Sequence, residues 1–435
     1  MPGDRRVGHR RYTQRQGEIV VSNEYYMRDD CRLCKSKDIE LVFNMGKVPL
    51  GDDFVSGDQL DRVQNEYPLE IHFCKNCGLV QSPCVIDPDI IYSNYLYETS
   101  SSLGLMQHFE DYAQYVIDTV NPPKAALAVD IGSNVGALLK GMKARGLNVL
   151  GIDPAKALAE KASKAGLETW VAFFNREVAG KIKAEKGLAA VITANNVMAN
   201  IDDLTDIMEG IQTLLADDGV FMFETGYMVD TIQNVVIDNL THEHICYFSV
   251  LPLLSFFESH GLEMVDIKRI PTKGGSIRGT VQKKGGPRSV SSNVTGLANL
   301  ERELGFERVD PFKNFSLVSE NVKAELLVLL KDLKAQGKTV SAYGASIGAT
   351  SLMYYFGIDG LIDVLYDDNP AKIGTFSPVL RIPVHDSSEI YEFKPDYILN
   401  FAWRYDGPIY RRHTRYLAEG GKFINCLPTV KIVGA

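Results

Sequence analysis

Two matched cysteine pairs, Cys31-x-x-Cys34 and Cys74-x-x-Cys77, constrain this chain more than any other feature of its sequence. Each pair presents two sulfurs from a single turn, and zinc accepts four thiolates in a tetrahedron. Seven cysteines make an odd count, and the basic N-terminus, MPGDRRVGHRRYTQRQGEIV, lacks the apolar stretch of a secretory signal. In such a chain the pairs read as metal ligands and not as disulfides. Four sulfurs fill the coordination sphere, so the ion is expected to be structural. The surrounding segment, 28–95, is broken by Gly46, Pro49, Gly51, Pro68, Gly78 and Pro88. Too irregular to build much core, it is where a metal contributes folding free energy directly. His72, beside Cys74, would be a fifth ligand and reads as a neighbour.

A chain of 435 residues exceeds what one hydrophobic core supports, so several domains are expected. Residues 1–27 are basic and polar, an extension expected to be flexible or to lie on the surface. The pattern LMQHFEDYAQYVIDTV reads as an amphipathic helix, stopped by Asn121-Pro122-Pro123. Strands at ALAVDIGSN, NVLGID, ETWVAFF, LAAVITANN and GVFMFET then alternate with helical patterns, the signature of a parallel sheet. With GLEMVDIKRI and SIRGTVQK as last strands, this domain spans 96–290. A charged linking helix over 295–335 leads into a second doubly-wound pattern, KTVSAYGAS to KFINCLP, so that 291–435 form a further domain. The fold class is therefore α/β: two Rossmann-like domains behind a small zinc-binding one, with a cleft between the larger two as the place for a ligand. A net charge of −9 argues against a nucleic-acid partner. No run of 18 apolar residues is present, so neither a membrane span nor a location outside the cytoplasm is expected. Monomer and homodimer both remain open.

In DIGSNVGALL, residues Asp130, Gly132, Ser133, Asn134 and Gly136 end a strand in a glycine-rich turn that opens a helix. Glycine lets a ligand approach the backbone, and the helix N-terminus favours an anionic group. The next strand ends at Asp153, an acceptor for ribose hydroxyls. Asn134 stands where a dinucleotide fingerprint would have its second glycine, which disfavours a pyrophosphate and favours S-adenosylmethionine over NAD. The plainer alternative is a tight turn in some other α/β enzyme. Asn195 and Asn196 close a strand at the cofactor end of the sheet, facing methionine or substrate. Phe173 and Phe174 either flank adenine or end a strand in the core. His242-Glu243-His244 is the densest titratable cluster outside the cysteine segment, and it lacks the H-E-x-x-H spacing of a zinc peptidase.

These motifs run in constant order with YLYETSS at 95–101, THEHICYFS at 241–249, GGSIR at 274–278, YGAS at 343–346 and DDNP at 367–370. Together, from about residue 28 to the C-terminus, they resemble the S-adenosylmethionine-dependent nucleotide-sugar C-methyltransferases, which make branched deoxysugars for antibiotics and bacterial surface glycans. The resemblance implies a zinc-binding domain, a class I methyltransferase domain and a C-terminal domain that holds the nucleotide diphosphate. It implies methyl transfer to C3 of a nucleotide-linked 4-keto-6-deoxysugar through an enolate. His244 would then be the base, with Glu243 orienting it or holding a sugar hydroxyl. Tyr95 and Tyr97 would enter the sugar pocket, Tyr97 nearer the reacting carbon. Tyr343, Gly344 and Ser346 would cradle the nucleotide. Three positions depart from the family: Thr241 replaces a tyrosine, Asn200 a histidine, and Lys273 the histidine that often precedes the Gly-Gly pair. Asn200 can donate to an enolate oxygen but cannot usefully exchange a proton. Lys273 would restore positive charge near enolate or phosphate, or lie idle on the surface. The family's lysine in the YGA-x-x-K-G loop is missing too, leaving Arg278 and Lys372 as sources of compensating charge. Two alternatives follow: methylation at another position or heteroatom, and a noncatalytic sugar-nucleotide-binding protein.

Overall fold

The computed structural model describes residues 13–15, 18–20, 24–92 and 104–434. Tyr95 and Tyr97 lie outside the described residues. Near the N-terminus, Thr13–Arg15 and Glu18–Val20 pair as antiparallel strands. Tyr25–Met27 pairs with Cys84–Ile86 as a second two-stranded sheet.

That unit is built on the strand Ile39–Pro49, paired antiparallel with Glu66–Cys74. In the second strand Tyr67, Leu69, Ile71 and Phe73 are buried while Pro68, Glu70 and His72 are less so, the alternation of a sheet with one face on a core. The sheet continues through Val80–Gln81 to an edge strand, Cys246–Tyr247, that comes from far along the chain. This edge strand follows Glu243-His244 by one residue.

The central domain is a seven-stranded sheet in the order Thr169–Val171, Asn148–Asp153, Leu127–Ile131, Ala189–Asn195, Leu215–Gly226, Ser276–Lys283, Leu262–Ile270. All its strands run in one direction except Ser276–Lys283, which is antiparallel to both of its neighbours. Helix Leu105–Val120 covers it with Phe109, Tyr112, Ala113 and Val116, the one-sided spacing read from the sequence, and stops at Asn121 with φ +48°. Strand order reverses between Leu127–Ile131 and Ala189–Asn195, which opens a crevice at their C-terminal ends.

The expected linking helix is two helices, Ser292–Glu303 and Asp310–Ala335, broken around Gly305, whose φ is +79°. The longer one joins the domains. Phe312 stacks on Phe73 of the zinc unit at 4.8 Å, and Phe315 meets Phe43 at 5.3 Å. Phe43 also meets Tyr355 of the C-terminal domain at 5.3 Å. Each such buried aromatic stabilises the assembly by about 2 kcal/mol, and one continuous core runs through all three units. The C-terminal sheet has the order Val384–Asp386, Leu365–Asp367, Val340–Tyr343, Tyr397–Asn400, Lys422–Asn425, Lys431–Val433. Only its last strand is antiparallel. Among the described residues, no helix is long and apolar enough to cross a membrane.

Candidate active site

The four cysteine sulfurs lie within 4.8 Å of one another, with Cys31 and Cys77 at 3.5 Å and Cys34 and Cys74 at 3.6 Å. Zinc–sulfur bonds of about 2.3 Å would set tetrahedral sulfurs about 3.8 Å apart, so the cluster fits a structural zinc ion. Each pair sits on a tight turn: Lys35 N–H donates to the Cys31 carbonyl at 3.0 Å and Gly78 N–H to that of Cys74 at 2.8 Å. His72 pairs with Glu70 at 3.2 Å and stands apart from the four sulfurs.

At the crevice of the central sheet lies a cavity of about 420 Å³, lined by Asp130, Gly132, Ser133, Asn134, Asp153, Phe173, Phe174, Asn195, Asn196, Asn200 and Lys273 among others. The glycine turn is shaped for it. Gly132 has φ +68°, and a Cβ there would stand 2.3 Å from Val197 Cγ2. Asn134 also takes a left-handed φ of +51°. Gly136 instead packs against Leu167, outside the cavity lining, where a Cβ would come within 2.5 Å of Leu167 Cδ1. The Asp153 carboxylate accepts from the Asn134 and Ala155 amides at 2.8 and 2.9 Å, which ties its strand end to the turn. Burial raises its pKa and raises that of Asp130 to about 7, although Thr193 donates to Asp130 at 2.6 Å. Both amide atoms of Asn195 and the Ser133 hydroxyl are buried without a hydrogen-bond partner. Buried amides are rarely left so. The cavity's donor set, two unsatisfied polar side chains beside a strand-end carboxylate, fits the amino-acid and ribose ends of S-adenosylmethionine. Phe173 is half exposed on the wall and Phe174 is buried behind it.

The Glu243-His244 pair adjoins this cavity. Ile245 N–H donates to the Ala199 carbonyl at 2.8 Å, next to Asn200. The Asn200 amide donates to the Tyr92 hydroxyl at 3.0 Å, while its Oδ1 is buried without a partner. His244 Nδ1 lies 3.0 Å from the Asn239 carbonyl. Only an N–H satisfies a carbonyl, so Nε2 is left as the acceptor. Burial pushes the His244 pKa down to about 4, and the nearby Lys273 and Arg404 charges push the same way. Burial pushes Glu243 up to about 7, aided by Asp52 and opposed by Lys273 and Lys372. Lys273 itself is lowered by burial, with Glu243 acting against the shift. His242 points elsewhere: its Nε2 meets the Tyr67 carbonyl at 3.2 Å, between the zinc unit and the central domain. The Thr241 hydroxyl is buried without a partner.

The expected nucleotide cradle is already engaged within the protein. Tyr343 donates to Asp368 at 2.6 Å, and Ser346 caps the helix Ile347–Phe356 by accepting from Ala349 N–H at 3.1 Å. Gly344, at φ +104°, faces Ala402, whose nitrogen would be 3.1 Å from a Cβ. Lys372 is buried, paired with Asp52 of the zinc unit at 2.5 Å and 4.1 Å from the Phe54 ring. Arg278 departs from expectation outright. Its guanidinium pairs with the buried Glu224 and stacks 3.6 Å from the Tyr112 ring, inside the central domain and committed there. Sequence reasoning missed Tyr92, Asp52 and Arg404. The last pairs with Asp238 at 2.9 Å and donates to Asn239 Oδ1 at 3.1 Å. All three stand in loops or helix ends without a local pattern, so only the assembled chain brings them in.

Residues 31–92 match a zinc binding domain family, 105–267 a methyltransferase domain family and 271–428 the C-methyltransferase C-terminal domain family. The C-methyltransferase NovU of Streptomyces niveus is 31% identical over 409 residues, covering 94% of this chain and 97% of NovU. A ubiquinone biosynthesis O-methyltransferase of Colwellia psychrerythraea is 25% identical over 167 residues, covering 35% of this chain and 68% of that protein.

Proposed function

The chain belongs to the family of S-adenosylmethionine-dependent C-methyltransferases typified by NovU, and on that premise we propose that it methylates C3 of a nucleotide-diphosphate-linked 4-keto-6-deoxysugar. Bound S-adenosylmethionine supplies an electrophilic methyl group. The protein's task is to make the sugar carbon nucleophilic. A C4 ketone acidifies the C3 proton, and His244 Nε2 accepts it, held as the acceptor by the Nδ1–Asn239 bond. The resulting enolate oxygen is stabilised by the Lys273 ammonium and the Asn200 amide, both on the cavity wall. Glu243, protonated below about pH 7, holds a sugar hydroxyl. Gly132, Ser133, Asn134, Asp153 and Asn195 hold the cofactor.

The observation that carries this reading is the placement of a neutral, single-tautomer histidine beside the cofactor cavity. The test is a panel of 4-keto-6-deoxysugar nucleotides with labelled S-adenosylmethionine, the product read by mass spectrometry and NMR for the methylated atom. A product methylated on oxygen or nitrogen sinks the proposal. His244→Ala should lose turnover yet bind S-adenosylhomocysteine as before, and normal turnover in that variant refutes the base assignment.

A further inference from the structure

His244 is one residue in a short turn, and besides the Ala199 and Lys273 carbonyls of its own domain the turn is held by groups from the two others. At its start, the Asn239 carbonyl accepts the His244 Nδ1–H. Asn239 is in turn gripped by Arg404 of the C-terminal domain. The guanidinium donates through Nη1 to Asn239 Oδ1 at 3.1 Å and to the Lys273 carbonyl at 3.4 Å, and through Nη2 pairs with Asp238 at 2.9 Å. Gly274 lets the arginine lie this close, since a Cβ there would be 3.2 Å from Arg404 Cδ.

At the turn's end, the Ile245 carbonyl accepts from Ser82 N–H at 3.0 Å and from Arg32 Nη1 at 3.3 Å. Arg32 sits between two zinc ligands, Cys31 and Cys34, with its side chain wholly buried. It also donates to the Ser82 carbonyl at 2.7 Å and to Asp202, on the cavity wall, at 2.9 Å. Burying a guanidinium is costly, and its planar fork of donors is what satisfies several acceptors at fixed angles. A lysine carries the charge without the fork.

We infer that Arg404 and Arg32 are positioning residues that orient His244 by pinning the two ends of the turn 239–245 from the C-terminal domain and the zinc unit. The inference rests on His244 being the base. Neither arginine lines the cofactor cavity, but Arg32 also holds Asp202 on its wall, so it is the loss of Arg404 that acts on turnover and leaves cofactor affinity alone. A base displaced by about an ångström costs about a hundredfold in rate.

The experiment uses the full-length, zinc-loaded chain as Arg404→Lys and Arg32→Lys. Three quantities are read: turnover with the 4-keto-6-deoxysugar nucleotide that the panel identifies, calorimetric affinity for S-adenosylhomocysteine, and the ¹⁵N shifts of the His244 ring. The expected result for each variant is about a hundredfold loss in kcat and a ring signal that moves from one tautomer to a mixture, with cofactor affinity unchanged in Arg404→Lys. Zinc content is measured on Arg32→Lys; loss of the ion there leaves the Arg404→Lys result to decide. Wild-type turnover with an unmoved ring signal in Arg404→Lys overturns the inference. If His244→Ala keeps full turnover, the base assignment fails, and the tautomer signal still reports whether the arginines set the ring.

Discussion

The two α/β domains use one device twice, to different ends. In the central domain, Asp153 ends the second strand and accepts from the amides of Asn134, in the first turn, and Ala155, in its own. In the C-terminal domain, Asp367 does the same with Ala345 at 2.6 Å and Asn369 at 2.7 Å. Beyond that the turns diverge. The first opens onto a 420 Å³ cavity with unsatisfied polar groups. The helix after the second turn is pressed against its neighbours: a Cβ on Gly348 would stand 2.6 Å from the Asp238 carbonyl, and one on Gly51 2.6 Å from Ile347 Cγ2. Thr350 binds the Gly51 carbonyl at 2.9 Å as well. The backbone motif alone therefore does not make a ligand site. What lies in front of it decides between pocket and joint.

The contrast is easiest to break at the glycines. Gly132→Ala forces a strained φ and drives a Cβ into Val197, so S-adenosylhomocysteine affinity should fall by about a hundredfold or more, since both backbone and cavity wall must shift. Gly344→Ala, strained in the same way at φ +104°, should cost about 1–3 kcal/mol of stability and leave that affinity unchanged. Equal losses of affinity in both variants would erase the distinction. The aspartates come next. Asp153→Asn and Asp367→Asn each replace a carboxylate oxygen with a donor facing an amide, a loss of about 1–3 kcal/mol in denaturant melts. Only Asp153→Asn should also weaken cofactor binding in calorimetry.

The smallest effect is a pH dependence at the joint. Burial holds His242 and His244 at about 4, below their ordinary 6.5. The stability they lend is full above pH 6.5 and lost as pH falls through about 4, because the folded state must then bury charge. Glu243 runs the other way. Its raised pKa means its contribution is full below about 4.5 and lost as pH rises through about 7. Thermal melts should therefore show Glu243→Gln gaining on the unaltered chain above pH 7, with no gain at pH 5. An equal gain at both pH values would refute the burial of an ionisable Glu243.

Much of this was legible in the chain. The cysteine spacing is local, and so are the strand–turn–helix alternation and the glycine turn, because each arises from neighbouring residues obeying one periodicity. The break at Gly305 left less trace, since helical patterns lie on both sides of it. The edge strand Cys246–Tyr247 left none: two residues have no period, and their partners Gln81 and Val80 are remote in sequence. Arg278 was misplaced for a related reason. Its charge was visible, but Glu224 and Tyr112, which claim it, become neighbours only in the folded domain. Arg32 was hidden in plain view inside the cysteine motif, where attention goes to the ligands.

That edge strand bears on how such enzymes can be taken apart. A fragment cut at the apparent boundaries of the methyltransferase domain would carry Cys246–Tyr247 away from the sheet it completes, exposing unpaired backbone on both pieces. The cysteine-bearing unit is thus not a detachable module. In any chimera between relatives, the segment 28–92 and the turn at 241–249 must come from the same parent.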